Sequence, residues 1–159
     1  MHFLLPFFKW ADGLATSAAI RNTNWLFPAI EAVHIVALTL LLGAILMLNM
    51  RLFGITLRNK PVRKLASDLA PFTDISLVII LMSGFLLFAS EAMKCYGSAP
   101  FQVKMSFLFA AIIFHFTIVG RITKTDAVGA TPPWGKLAAA VSLLLWFGVG
   151  FGGRAIGFL

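Results

Sequence analysis

Four long apolar stretches constrain the fold of this chain more than any other feature of its sequence. Each is long enough to cross a hydrocarbon core of roughly 30 Å, because a helix rises about 1.5 Å per residue. Turn-forming asparagine, glycine and proline residues interrupt the chain between them. The sequence therefore predicts an all-α integral membrane protein, a four-helix bundle that forms a single domain over residues 1–159. The four predicted spans cover residues 25–48, 69–90, 101–119 and 137–158, with approximate bounds.

The composition agrees with a membrane protein. Charged residues make up 12% of the chain and hydrophobic residues 60%, whereas a soluble domain carries roughly 25% charged residues. The net charge of +7 does not indicate nucleic-acid binding, because the basic residues flank the apolar spans, where topology and the anionic lipid membrane explain them. Cys95 is the only cysteine, which excludes an internal disulfide, a cysteine-rich zinc site and an iron–sulfur cluster.

Basic residues gather in two of the three connections. These residues are Arg51, Arg58, Lys60, Arg63 and Lys64 in the first connection and Arg121, Lys124 and Lys136 in the third. Positively charged connections stay in the cytoplasm, so both termini are expected outside. The expected location is the inner membrane of a bacterium, which the chain crosses several times.

The residues that precede the first span favour a helix that lies on the membrane surface. Residues 3–19 include Phe7, Phe8 and Trp10, which would dip into the membrane. A cleaved signal peptide is the alternative, but the apolar run is short, Pro6 interrupts it and Lys9 ends it.

Two histidines lie within predicted spans. His34 lies roughly 14 Å from the outer end of the first span, and His115 lies roughly 21 Å from the outer end of the third. Neutral imidazole is a good iron ligand, and two histidines on separate membrane helices are typical of b-type haem. The pair therefore predicts one haem b per chain with His34 and His115 as its metal ligands. The alternative is that each histidine is hydrogen-bonded to a carbonyl or a serine on a neighbouring helix.

Other residues fit the surroundings of a haem. Lys104 precedes His115 by eleven residues and shares its helix face, so its cation would face a haem propionate, and Arg154 would supply a second such contact. Gly84, next to Ser83, would allow close approach of the haem ring. The glycines between 148 and 153 would do the same in the fourth span. Close helix packing through Gly148 and Gly152 is the alternative for these glycines.

The remaining polar residues receive structural interpretations. Gly43 lies opposite His34 on its helix and is assigned to packing. Asp74 is expected to pair with Arg51 or Arg121, with a proton-relay role as the alternative. Glu31 is interpreted as a carboxylate at the membrane boundary, and His2 as a solvated side chain.

The two histidine spans resemble a known family. The segments "AIEAVHIVALTLLLGAILMLNMRLFG" and "FQVKMSFLFAAIIFHFTIVGR" are similar to those of HemJ, the four-helix haem-binding protoporphyrinogen oxidase of bacteria. The positions that match its motifs are His34, Gly43, Arg51, Lys104 and His115. Short bacterial four-helix proteins with the same "EAVH" segment are more similar still, and the copper-resistance membrane protein CopD is a more distant likeness. The resemblance implies a haem-binding four-helix membrane protein.

Together these features predict a small b-type cytochrome that transfers electrons between a quinone and a redox partner outside the cytoplasm. The bis-histidine ligation expected here leaves no open iron position, which favours electron transfer over oxygen chemistry. Oxidation of protoporphyrinogen IX, copper handling or transport, and a structural role in a larger complex are the alternatives. A bundle this small could also form a homo-oligomer.

Overall fold

A computed structural model describes residues 2–124 and 132–156 of the chain, and throughout these ranges the regular structure is helical. Four helical segments are long and apolar enough to cross a membrane, which confirms the predicted all-α class and the four spans. After a single 3₁₀ turn at His2–Leu4, the helices are α1 (Leu5–Asp12), α2 (Ala15–Asn22), α3 (Leu26–Phe53), α4 (Val62–Ser90), α5 (Ala92–Cys95), α6 (Ala99–Phe114), α7 (Gly120–Ile122) and α8 (Pro133–Ile156).

The first two spans are longer than predicted. Helix α3 continues past the expected end at Leu48 to Phe53. Gly54 then stops it with a φ of 76°. The N–H groups of Gly54 and Ile55 donate to the carbonyls of Arg51 and Met50, which is the usual glycine-terminated helix end. Helix α4 begins at Val62 rather than at Leu69, because its first turns are polar and hydropathy does not detect them.

The third span changes its helix type on the way. A π-helical segment, His115–Val119, follows α6, and α7 completes the membrane-length segment Ala99–Ile122. The Gly120 N–H donates to the carbonyl of His115, five residues back. In the fourth span, α8 begins at Pro133, and the predicted end at Phe158 lies outside the described residues.

The predicted single surface helix over residues 3–19 is wrong in its extent. Two short helices, α1 and α2, occupy this segment. The chain breaks between them because Leu14 has an extended backbone with ψ of 141°. Across the break, the Ser17 hydroxyl donates to the carbonyl of Ala11 at 2.7 Å. This bond holds the two helices at a fixed turn.

The chain forms two compact units. The first contains residues Met1–Leu40 and Asp74–Ser98, and the second contains Leu41–Thr73 and Ala99–Leu159. Within the first unit, Phe8 of α1 packs edge-on against Phe88 of α4 and against Tyr96, with ring centroids 5.2 and 5.3 Å apart. The N-terminal segment is therefore attached to α4 through aromatic contacts.

The second unit is centred on the packing of α6 against α8. A small apolar core of Leu52, Val62 and Ala139, with Phe53 and Ile122 against it, brings α3, α4 and α8 together in this unit. Arg51 is fully buried beside this core, and its Nε donates to the carbonyl of Lys60 at 3.0 Å. That bond ties the end of α3 to the loop that follows it.

Candidate functional site

His34 is held by a side chain of the neighbouring helix in the first unit. Its Nδ1 lies 2.8 Å from the Ser83 hydroxyl oxygen on α4. The same hydroxyl donates to the carbonyl of Ile79 at 2.6 Å. A serine hydroxyl has one proton to donate, so in this bond the serine is the acceptor and His34 Nδ1 is the donor. The lone pair of the neutral imidazole is therefore on Nε2.

Gly84 makes room for the imidazole. A Cβ atom at this position would lie 3.3 Å from His34 Cε1, closer than ordinary van der Waals contact. The sequence predicts a contact between Gly84 and a haem ring; the structure places Gly84 against the His34 ring. The contact with haem stays a prediction.

The bond between His34 and Ser83 bears on both interpretations of this histidine. A serine on a neighbouring helix is the partner expected for a purely structural histidine. A ligating histidine also needs a partner, because its second ring nitrogen usually donates to an acceptor that fixes the ring orientation. The bond alone is compatible with either role, but the tautomer it imposes is the one that ligates through Nε2.

His115 belongs to the second unit, where its ring packs edge-on against the ring of Phe116, with centroids 5.4 Å apart. It is the first residue of the π-helical segment, and its Nδ1 is buried. Short π-helical segments within α-helices are rare and occur frequently at functional sites. No feature of the sequence around His115 predicted this change of helix type, because a π-turn depends on a one-residue difference in hydrogen-bond register.

Lys104 lies against the glycines of α8. A Cβ atom at Gly152 would lie 3.1 Å from the Lys104 Cα, and one at Gly153 would lie 3.6 Å from the Lys104 ammonium nitrogen. The structure therefore brings Lys104 next to Gly153, the residue that precedes Arg154. The Arg154 side chain is exposed and Lys104 is half-buried. The two cations predicted to face haem propionates thus belong to one end of the α6–α8 pair.

Close packing explains two of the glycines in α8. A Cβ atom at Gly148 would lie 2.5 Å from the Phe107 ring, so a side chain there would clash with α6. Together with Gly152, this confirms the packing alternative for the pair. The assignment of Gly43 to packing is wrong, because no atom of the described chain outside its own helix lies within 4 Å of a Cβ placed there.

Sequence reasoning missed a buried polar contact in the second unit. The Asn49 side-chain amide donates to the Ser142 hydroxyl at 3.2 Å, and both residues are buried. Within residues 2–124 and 132–156, Asn49 Oδ1 and the indole N–H of Trp146 are buried without a hydrogen-bond partner. The sequence signal was Asn49 itself, a polar residue directly after the predicted end of the first span.

The structure does not assign the remaining candidate residues to a site. Asp74 and Glu31 are exposed, and the side chain of His2 is not described. No three histidine, cysteine or acidic side chains come together as metal ligands in the part of the chain that the structure describes. A haem does not need such a cluster, because the porphyrin supplies four of the iron ligands and the protein only the axial ones.

Comparison with known proteins gives a family but no function. The model of a family of unknown function, DUF6644, matches residues 7–159, which is nearly the whole chain. No curated protein and no solved structure matches the sequence.

Proposed function

The chain belongs to the DUF6644 family, whose function is unknown, and we propose that it is a b-type haem protein that transfers single electrons in a membrane. The proposed membrane is the bacterial inner membrane, with the basic connections in the cytoplasm and both termini outside. The positive-inside distribution of Lys and Arg supports this orientation.

The observation that carries the proposal is the pair of contacts that Ser83 makes with His34 and Ile79, from which we infer the tautomer of His34. The hydroxyl of Ser83 is committed as a donor to Ile79, so Nδ1 of His34 must donate to Ser83. A neutral imidazole with its proton on Nδ1 carries its lone pair on Nε2, and neutral imidazole is the form that binds iron. Gly84 contributes by leaving space for the ring in this orientation. A serine acceptor on Nδ1 is the kind of outer contact that keeps a ligating imidazole in place.

We propose His115 as the second axial ligand, as its position within a span predicts. The π-helical segment that begins at this residue supports a functional role. Lys104 and Arg154 would neutralise the haem propionates. Their place at one end of the α6–α8 pair supports this assignment, since Lys104 lies against Gly153. Ligand set, charge partners and apolar helices together match the chemistry that a b-type haem requires.

A bound haem would supply one-electron redox chemistry, and the protein would supply ligands, charge partners and an apolar surrounding. With His34 and His115 as its ligands, a bound haem would have no open iron position. This favours electron transfer over oxygen chemistry. The proposed electron donor is a quinol in the membrane, and the proposed acceptor is a redox partner outside the cytoplasm. The protoporphyrinogen oxidase activity implied by the resemblance stays a prediction, to be tested by rescue of a strain that lacks that oxidase.

The optical spectrum of the purified protein tests the proposal. We expect a sharp α-band in the reduced protein and about one haem b per chain. The variants His34→Ala and His115→Ala should each lose that band. The matched control is His2→Ala, which removes the histidine outside the spans and should leave the haem content unchanged. Colourless protein from haem-sufficient cells, or protein that holds copper and no haem, would refute the proposal.

A further inference from the structure

The first unit contains a pocket of about 310 Å³ at the N-terminal end of α3. The residues around it come from α2, from the link between α2 and α3, from the start of α3 and from the turn between α4 and α5, and include Ile20, Arg21, Asn24, Phe27 and Glu91. Polar and apolar side chains both line it. A small molecule with a ring and polar substituents suits such a lining.

The charges of this pocket are already compensated within the chain. Arg21 pairs with Asp12 at 2.5 Å and also donates to the carbonyl of Ser90 at 3.2 Å. Glu91 pairs with Lys94 at 2.5 Å. Because each charge has an opposite partner, the lining offers little net attraction to a charged ligand. The pocket therefore favours a neutral ligand with hydrogen-bonding groups over an anionic lipid headgroup.

The pocket is aligned with His34 along α3. Phe27 precedes His34 by seven residues, which is almost two helical turns, so the two side chains leave the helix in nearly the same direction. The rise between them is roughly 10 Å. Phe27 is the second residue of α3, so the pocket lies where the apolar helix begins. A polar ring attached to an apolar tail would occupy this level of a membrane.

We propose that this pocket binds the hydroxylated ring of a quinol. The carboxylate of Glu91 accepts a hydrogen bond from one ring hydroxyl, the amide of Asn24 bonds the oxygen across the ring, and Phe27 packs against the ring face. The apolar tail leaves into the lipid. This inference deepens the proposed function, on which the choice of a quinol rests, because it names the site at which the electron donor is held.

Titration calorimetry tests the site. It measures the binding of decylubiquinol, under anaerobic conditions, to the purified full chain in detergent. The wild type should bind in a saturable manner. Asn24→Trp, which fills the pocket, should abolish binding. Glu91→Gln should weaken it about tenfold, since a bond to a charged acceptor is replaced by a weaker neutral one. Asn24 is exposed and Glu91 only partly buried, so neither change should prevent folding.

Glu31→Gln is the matched control, because Glu31 is an exposed carboxylate of α3 outside the pocket lining. It should bind the quinol as the wild type does. Equal binding by all variants would overturn the proposal. So would native mass spectrometry in which Asn24→Trp loses a retained phospholipid while its quinol affinity is unchanged, because the pocket would then be a lipid site.

The haem content of the same samples separates the two proposals. Quinol binding that depends on Asn24 and Glu91 in protein without haem would support the pocket and refute the haem. A normal haem spectrum, together with quinol binding that does not depend on Asn24 or Glu91, would support the haem and refute the pocket.

Discussion

The two histidines within the apolar spans have different surroundings. His34 lies in a regular α-helix, and a serine of another helix binds its Nδ1 while a glycine leaves space for its ring. His115 lies at the point where its own helix changes from α to π. The His34 ring therefore contacts residues of a neighbouring helix, whereas the His115 ring packs edge-on against Phe116 of its own segment, with ring centroids 5.4 Å apart. Substitutions can disturb one histidine while they leave the surroundings of the other intact.

Glycine allows a close approach of neighbouring helices in both units. A Cβ atom would lie 3.3 Å from His34 at Gly84 in the first unit, and 2.5 Å from Phe107 at Gly148 and 3.0 Å from Lys104 at Gly152 in the second. Near His34 the atom that a side chain would meet belongs to the imidazole. In the α6–α8 pair it belongs to Phe107 or to the backbone of Lys104. Glycine thus serves the proposed site in the first unit and helix packing in the second.

The largest effect is expected for Gly148→Val. Its Cβ would lie 2.5 Å from the ring of Phe107 and 2.8 Å from the Cγ of that residue, so the ring cannot avoid it by a small rotation. Overpacking of this kind costs up to about 3 kcal/mol. Denaturant unfolding in detergent should show a loss of that size.

Gly150→Val is the control for this prediction, because a Cβ at Gly150 meets no described atom of another helix within 4 Å. It should change the unfolding free energy little. Combining Gly148→Val with Phe107→Ala should restore part of the lost stability. If the double variant is no more stable than the sum of the two single losses predicts, the clash with Phe107 is not the cause of the lost stability.

Gly84→Val should disturb the surroundings of His34 and lower the free energy of unfolding by about 2 kcal/mol, within the usual range for overpacking. Its Cβ starts 3.3 Å from His34 Cε1 and the added methyl groups come closer, so the ring must move. We expect most of the bound haem to be lost. Gly43→Val adds the same side chain at an exposed glycine of α3 and should retain haem; equal haem content in the two variants would contradict the account.

Ser83→Ala should weaken haem binding about tenfold, the lower end of what loss of an outer-shell partner costs a metal site. The change removes the acceptor of the His34 Nδ1–H. The proton of the neutral ring is then no longer fixed on Nδ1. Haem transfer to an external haem-binding protein measures the affinity. Ser106→Ala is the matched control, since Ser106 is exposed and donates to the carbonyl of Gln102 in its own helix. A Ser83→Ala variant that holds haem as firmly as this control would show that the bond does not position a ligand.

The smallest effect is expected for Ser142→Ala in the second unit. It removes the partner of the Asn49 amide, and hydrogen bonds between membrane helices contribute about 0.6 kcal/mol on average. Unfolding in detergent should show a loss near this value, with the haem spectrum unchanged. A changed spectrum would mean that this contact is not purely structural and also supports the site.

The spans could be predicted because hydropathy alone determines which segments enter a membrane. Their ends could not, since Gly54 stops α3 through a backbone conformation and α4 begins in charged residues. The split of the N-terminal segment depends on the extended backbone of Leu14, which periodicity does not reveal. His34 and Gly84 could be singled out as residues, but their contact requires the register of α3 against α4. The π-helical turn at His115 has no sequence signal at all.

The proposed function depends on ligation of a haem iron by Nε2 of His34. The test is to remove the ligand in the variant His34→Gly and then to add free imidazole. We expect the ferric spectrum to change from low-spin to high-spin in this variant, and imidazole to restore the low-spin form. A His34→Gly protein that keeps the low-spin spectrum of the wild type without imidazole would contradict it.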